Sequence, residues 1–274
     1  MSEYVIANAT VVPVRENPSE GAEQLTQLLF GEVCEVLDCL PRWTKIRSTL
    51  DGQEGWVDFK MVTLTSEPSE QLALRVLNAP VVATPMAAAT PMDGGADLLL
   101  TLGTRLPNYS HGTFEVLGKQ YIIDPACVNN AAQLLNSDMS RAELLNNVCA
   151  IAQTLLNAPY LWGGKNLMGM DCSGFTQVVY AAMGVNLLRN AREQMTQGEL
   201  VPSLAEAQPG DLAFFDHADR DPQATNISHV GLLLSPTEII HCSGCVHIDT
   251  IDEQGIHLPD GELTHHLVQI KRYL

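Results

Sequence analysis

Cys172, His229 and His241 are residue types that together could run nucleophilic chemistry. A thiol attacks a carbonyl carbon as thiolate, so Cys172 needs a surrounding that lowers its pKa. It sits in Asp171-Cys172-Ser173-Gly174-Phe175, at the start of a helical pattern. That position offers unpaired N–H groups and the positive end of a helix dipole. His229 supplies an imidazole base that can then protonate a leaving amine. A third polar group must hold that imidazole's tautomer, and His241 follows in the next strand-like run. Backbone N–H groups at the helix start are placed for an oxyanion hole. Singly, each residue has a bland reading, an inert buried thiol or a satisfied core histidine. The conjunction is what points to chemistry.

Those three residues have to be positioned by helices that come first and strands that come second. Ser140-Arg141-Ala142-Glu143 is a capping-box signature. The helical spacing of Leu144, Leu145, Val148, Ile151, Ala152 and Leu155 predicts a helix to about Asn157, where Pro159 stops it. Tyr160-Leu161-Trp162-Gly163-Gly164 reads as a turn that brings backbone close to something. Asp171 can cap a second helix with Phe175, Val178, Val179 and Ala182 on its buried face, ended by Gly184. Runs at Leu212–Phe215, His229–Leu234, Glu238–His241, Val246–Asp249 and Leu267–Ile270 read as strands. The expected fold is α+β, with a mixed sheet whose adjacent strands present both histidines toward the helix.

Ahead of this third region, 136–274, the chain reads as two smaller ones. In 1–66, short β-type runs are punctuated by Gly31 and Asp51-Gly52, and the helical period is missing. The order VVPVRENP, LLFGEVCEVL, RWTKIR, DGQEGWV resembles a bacterial SH3 domain. Trp43 and Trp56 are then barrel core or rim, or ligand contacts. Region 67–135 repeats the first weakly: APVVATP parallels ATVVPV, LLTLGTRLP parallels LLFGEVCEV, and TFEVLG parallels WTKIRS. It reads as a diverged second SH3-like β-barrel, one expected to pack the domains together instead of binding anything.

Composition narrows the classes further. Hydrophobic residues make up 46% of the 274 and charged residues 17%, which suits packed domains. Fifteen basic residues against 32 acidic give a net charge of −17, which repels nucleic acid and anionic lipid. No apolar run approaches a membrane span, and no membrane insertion is expected. Seven cysteines at irregular spacing argue against a disulfide framework and for a reducing compartment. With no signal peptide visible at Met1-Ser2-Glu3-Tyr4, the expectation is cytoplasmic, or periplasmic or secreted if a leader has been trimmed.

PYLWGG, DCSGF, QPGDLAFF, SHVGLLL and IIHCSG occur in the order of the NlpC/P60 family of papain-like cysteine peptidases, which the third region resembles. SH3-like modules ahead of it are similar to the subgroup of γ-D-glutamyl-L-diamino acid endopeptidases. The resemblance implies hydrolysis of the bond between D-Glu and the diamino acid of murein stem peptides carrying a free N-terminal L-Ala. It implies Cys172 as nucleophile, His229 as base and His241 as orienter. Tyr160 would assist the oxyanion, Asp171 and Ser173 would line the site, and Asp171 suits the substrate's ammonium. AEQLTQLLFGE resembles the SH3 segment that places an acid over the site, which would be Glu23. LLRNAREQ departs from the family's Arg-Asp-Ser/Ala at Asn190.

Other readings stand beside this one. His241-Cys242-x-x-Cys245-x-His247, with His217, His265 and His266 nearby in sequence, has thinkable metal-ligand spacing. Strand alternation points Cys242 away from His241, so neither a metal nor a cofactor is expected. A non-catalytic peptidoglycan-binding protein, or an amidase or transpeptidase on the same scaffold, are the functional alternatives. A monomer is expected.

Overall fold

The computed structural model describes residues 3–65, 69–130, 140–217 and 226–274. The first region is seven antiparallel strands. Their spatial order is Gln24–Leu29, Val11–Arg15, Glu54–Asp58, Trp43–Ser48, Val33–Leu40, Tyr4–Ala7, Val62–Thr65. Alternation in Val11–Arg15 and Trp43–Ser48 sends Val12, Val14 and Ile46 into one apolar core with Val5, Leu28, Cys34 and Val57.

The second region carries the helix Ser69–Leu77 and a four-stranded sheet ordered Leu98–Thr101, Met86–Pro91, Lys119–Ile123, Thr113–Val116. Val81–Val82 pairs with Val128–Asn129 beside it. Its core is not separate, since Ile6, Phe30 and Val33 of the first region pack with Leu72, Val76, Leu100, Phe114 and Tyr121. Its other side meets the third region through Val81 and Leu102, and Arg105 donates to Asn186. Burial of shared apolar side chains therefore fuses the regions.

The third region opens with the helix Arg141–Gln153, capped by the expected Ser140/Glu143 box. It ends four residues before Asn157, which adopts a left-handed φ of 68°. A short hairpin, Lys165–Asn166 with Gly169–Met170, leads into the helix Cys172–Ala181. The sheet runs in the order Glu199–Val201, Leu263–Arg272, Leu212–His217, His229–Ser235, Glu238–Ser243, Cys245–Ile251, Gly255–His257. Its described pairings are all antiparallel, which corrects the expected mixed sheet. Gly255–His257 also pairs with Leu263–Arg272, so six strands close on themselves. Val230, Leu232, Ile240 and Cys242 face the Cys172 helix, while Leu233, Ile239 and Phe215 fill the other side. His241 lies on the Ile239 side, not toward the helix as expected, because strand side chains alternate.

Candidate active site

Cys172 is the first residue of its helix, and Asp171 is the N-cap whose Oδ1 accepts the Gly174 N–H at 2.7 Å. Helix capping by Asp is the local reason the chain turns helical here. The thiol is buried, packed in the apolar cluster with Phe175 and Val230. Its pKa is not lowered, as the sequence reading expected. Burial, foremost, and the neighbouring Asp171 carboxylate push it up to about 12. The Val230 and Ser173 N–H groups and the Arg189 guanidinium pull the other way. The resting group is a neutral thiol, and it needs a base to become a nucleophile. Val230, whose N–H is one of the partners of the thiol, directly follows His229, the residue expected as base.

His229 and His241 are both buried and touch directly, His229 Nε2 to His241 Nδ1 at 2.8 Å. Gly231 is the residue opposite His241 in the strand pair, and a Cβ there would sit 2.9 Å from the Cβ of His241. The contact continues beyond the expected pair. His241 Nε2 is 3.1 Å from Asp249 Oδ2, and His247 Nε2 is 3.1 Å from the same oxygen. A carboxylate only accepts, so His241 carries its proton on Nε2. Its Nδ1 is then an acceptor, and His229 donates to it from Nε2. Asp249 thereby sets the tautomers of two rings. Burial lowers the pKa of His241 against the pull of Asp249, and the hydrogen bond from His241 lowers that of Asp249.

Asp171 lines the cavity, but its carboxylate is fully engaged. Oδ1 accepts from Gly174, from Ser173 Oγ at 3.2 Å and from Arg189 Nη1 at 3.0 Å. Oδ2 accepts from Gly163 N at 2.9 Å and from Arg189 Nη2 at 2.6 Å. This corrects the expectation that Asp171 stands ready for a substrate ammonium, since its charge is already matched by a buried guanidinium. Ser173 also meets Arg189, Oγ to Nη1 at 2.9 Å. Arg189 was passed over in sequence in favour of its neighbour Asn190. Its signal was a lone cation directly after the largely apolar run Val185–Leu188. Asn190 caps the short helix Ala191–Gln194 and bonds Glu193.

The first region reaches the site. Arg189 Nε donates to Thr26 Oγ1 at 2.7 Å, Lys165 Nζ pairs with Glu32 at 3.0 Å, and Lys165 N donates to Gln27 Oε1. Gly163, at φ 73°, lies so close that a Cβ would be 2.4 Å from Gln24 O. Glu23 accepts from Trp162 Nε1 at 2.7 Å, which holds that carboxylate beside the turn expected to approach something. A cavity of about 550 Å³ is lined by Leu25 of the first region and by Tyr160, Trp162, Asp171, Cys172 and Ser173. Tyr160 is half-buried, and burial pushes its phenol up, so it stays an O–H donor. Cys242 donates to Met170 O on the helix side, apart from His241, so the thiol-containing metal grouping does not assemble. His265 stacks on His229 with ring centroids 4.4 Å apart, and His266 is exposed. The side chain of His217 lies outside the described residues.

A capped-helix thiol on a cleft and a buried imidazole pair on the sheet that follows are the parts a thiol-dependent hydrolase needs. Residues 157–262 match the NlpC/P60 family and residues 10–62 match the bacterial SH3 domain. The chain thus carries an NlpC/P60 domain and, ahead of it, a bacterial SH3 domain. It is 26% identical over 232 residues to a γ-D-glutamyl-L-lysine dipeptidyl-peptidase of Bacillus cereus, covering 79% of this chain and 66% of the relative. The protein of that name from Bacillus subtilis is 26% identical over 228 residues, 79% and 71% of the two chains. The match thus spans about two thirds of each relative's length. A solved NlpC/P60 family protein from Bacillus cereus superposes with a TM-score of 0.79 over 99% of both chains, at 21% identity.

Proposed function

We propose that this chain is a cysteine endopeptidase of murein turnover or recycling. It cleaves the bond between γ-D-Glu and the diamino acid in stem peptides with a free N-terminal L-Ala, releasing L-Ala-γ-D-Glu. The observation that carries this reading is the barrel over the cleft. Leu25, Gln24 and Glu23 close one end of the groove that contains Cys172, so a short N-terminal stem fits and a longer chain does not. That the two Bacillus relatives are named γ-D-glutamyl-L-lysine dipeptidyl-peptidases supports the bond chosen.

The arrangement is papain-like, a helix-borne thiol set against a sheet that carries the imidazoles. His229 takes the proton of Cys172 as sulfur attacks the carbonyl, which avoids a resting thiolate in a buried site. The imidazolium then protonates the leaving amine, and water enters for the reverse sequence on the thioester. His241 holds His229, and Asp249 holds His241. The Tyr160 hydroxyl and N–H groups at the helix start stabilise the tetrahedral oxyanion. Ser173 lines the cleft, and Glu23 receives the free amine in place of the saturated Asp171. The second region is a diverged SH3-like barrel whose work is packing, consistent with its shared core. The seven cysteines are free thiols, which supports a reducing compartment such as the cytoplasm.

Incubation with L-Ala-γ-D-Glu-diamino acid peptides, free and N-acetylated, with mass spectrometry of the products, tests this. Release of L-Ala-γ-D-Glu from the free peptide alone is expected. Cleavage elsewhere, or equal turnover of both peptides, would overturn it.

A further inference from the structure

Among the described residues, the cavity that holds Cys172 is lined by the charged side chains of Asp171, Arg192 and Glu193. Asp171 is matched by Arg189. Glu193 Oε2 accepts from the backbone N–H and from Nδ2 of Asn190, each at 3.0 Å. Arg192 differs from both. It is exposed, and its hydrogen bond runs from Nη2 to Oδ1 of Asn226, a neutral acceptor. It forms no ion pair among the described residues. A guanidinium is a planar fork of N–H donors, and most of this one is left for a further acceptor.

Both ends of this arginine are held. Its backbone belongs to the short helix Ala191–Gln194, and Gln194 ties that turn to the Cys172 helix. Gln194 Nε2 donates to Ser173 O at 3.1 Å, and its Oε1 accepts from Thr176 Oγ1 at 2.8 Å. The head of Arg192 rests on Asn226, whose own N–H donates to Oδ2 of the buried Asp216 at 3.0 Å. Asn226 belongs to the segment that leads into His229. Arg192 therefore runs from the element that bears the sulfur to the segment ahead of the base, and residues of both line the one cavity. A guanidinium held in this way is ready for a carboxylate, which matches its fork with parallel hydrogen bonds.

We propose that Arg192 is a specificity-determining residue that binds a substrate carboxylate, the α-carboxylate of the diamino acid. This rests on the hydrolytic reading given above, which says how the stem peptide lies. On that reading the L-Ala ammonium goes to Glu23 at the barrel end. The nitrogen that departs is the α-nitrogen of the diamino acid, and the carbon next to it carries the carboxylate. The imidazolium of His229 protonates that nitrogen, which brings the departing residue to the segment where Asn226 holds Arg192. The cleft is then acidic where the amine enters and basic where the leaving residue ends. The preferred substrate is a short stem whose diamino acid ends in a free carboxylate. D-Glu carries a carboxylate of the same chemistry one residue nearer the barrel, so the test separates the two.

The probes are L-Ala-γ-D-Glu-L-Lys and L-Ala-γ-D-Glu-meso-diaminopimelate, each as the free acid, with a carboxamide at the α-carboxyl of the diamino acid, and with a carboxamide at the α-carboxyl of D-Glu. Each is titrated calorimetrically into the full chain carrying Cys172→Ala, with Arg192 kept, with Arg192→Gln and with Arg192→Lys. The diamino acid amide should bind about tenfold more weakly than the acid, the low end for a charge-assisted hydrogen bond at a site open to water. Arg192→Gln should remove that preference, and Arg192→Lys should keep part of it. In the enzyme with Cys172 intact, kcat/KM should show the same preference, carried by KM. A preference that persists in Arg192→Gln, no preference with Arg192 kept, or no binding of any probe would overturn the proposal. If Arg192→Gln instead removes a preference against the D-Glu amide, the carboxylate is the other one, and the assignment to the diamino acid falls. Binding is read without turnover. A chain that cleaves none of these peptides yet prefers the acid through Arg192 would count against the hydrolytic reading alone. Cleavage with no preference would count against Arg192 alone.

Discussion

Arg189 grips Asp171 with both terminal nitrogens, at 3.0 and 2.6 Å, directly beneath the residue that bears the reactive sulfur. Both side chains are buried, and Arg189 also bonds Thr26 of the first barrel. The N-cap of the Cys172 helix, the cavity wall and the domain interface are therefore one hydrogen-bonded unit. Removing one partner of a buried pair leaves the other charge uncompensated. Arg189→Ala is expected to cost about 3–5 kcal/mol in urea unfolding. Arg189→Lys should recover only part of this, because an ammonium cannot reproduce the planar fork. A loss under about 1 kcal/mol for Arg189→Ala, the range of an exposed pair, would show that the unit is not coupled.

Truncation of the reacting groups separates their proposed roles. Cys172→Ala should lower turnover about 10⁴-fold or more and leave the unfolding midpoint nearly unchanged. His229→Ala should approach that loss, while His241→Ala should cost about 10²-fold, as a group acting through another. Asp249→Asn offers an N–H where His241 needs an acceptor, so it should lower kcat with little change in KM. Equal losses for His229→Ala and His241→Ala would mean that the order of the two rings is assigned wrongly.

Much of this was legible in the sequence because it is local. Ser140/Glu143 and Asp171 are caps, and capping is decided by residues within one turn. Cys172, His229 and His241 stood out because their chemistry is specific and their strands alternate cleanly. Asp249 and Arg189 were missed for a common reason. Each acts through a partner distant in the chain, and a strand register or a domain contact must be known before the pairing exists. The assignment of Asp171 to the substrate amine failed on the same ground, since the cation that occupies it is 18 residues away. The direction of the Cys172 shift also depended on burial, which the helix-start argument alone could not weigh.

Acid should destabilise the fold through the histidine relay. Burial holds His241 below its ordinary 6.5, and Asp249 is held below 3.8 by its bond from His241. On unfolding both return to ordinary values, so the unfolded chain binds more protons. For His241, stability falls as pH drops below about 6.5 and levels off beneath its lowered folded value. Asp249 adds a loss as pH falls through 3.8 toward its own lowered value. Glu32, raised by burial beside Lys165, works in the opposite sense above 4.5, so the comparison must be between variants. Urea midpoints measured from pH 4 to 8 should fall less steeply toward acid for His241→Asn than for the unaltered chain. Parallel curves would show that His241 is not the group responsible.

The contact between Trp162 and Glu23 tests how the barrel selects substrate. Trp162 is 59% exposed, and its position at the cleft rim is fixed by the indole N–H on Glu23 and by Gln24 on its carbonyl oxygen. Asp171 is saturated, so a substrate ammonium entering the barrel end meets Glu23 as the carboxylate beside it. Loss of one charged hydrogen bond of this kind is worth about 1.5–3 kcal/mol, or roughly 10- to 150-fold in affinity. Glu23→Gln should raise KM for the free-amine peptide within that range and leave the N-acetylated peptide as it was, so that discrimination between them narrows. Trp162→Phe keeps the ring but frees the carboxylate, and a smaller rise in KM is expected with kcat unchanged. If Glu23→Gln alters both peptides equally, Glu23 is a latch for Trp162, and the amine must be read by backbone carbonyls at the barrel edge.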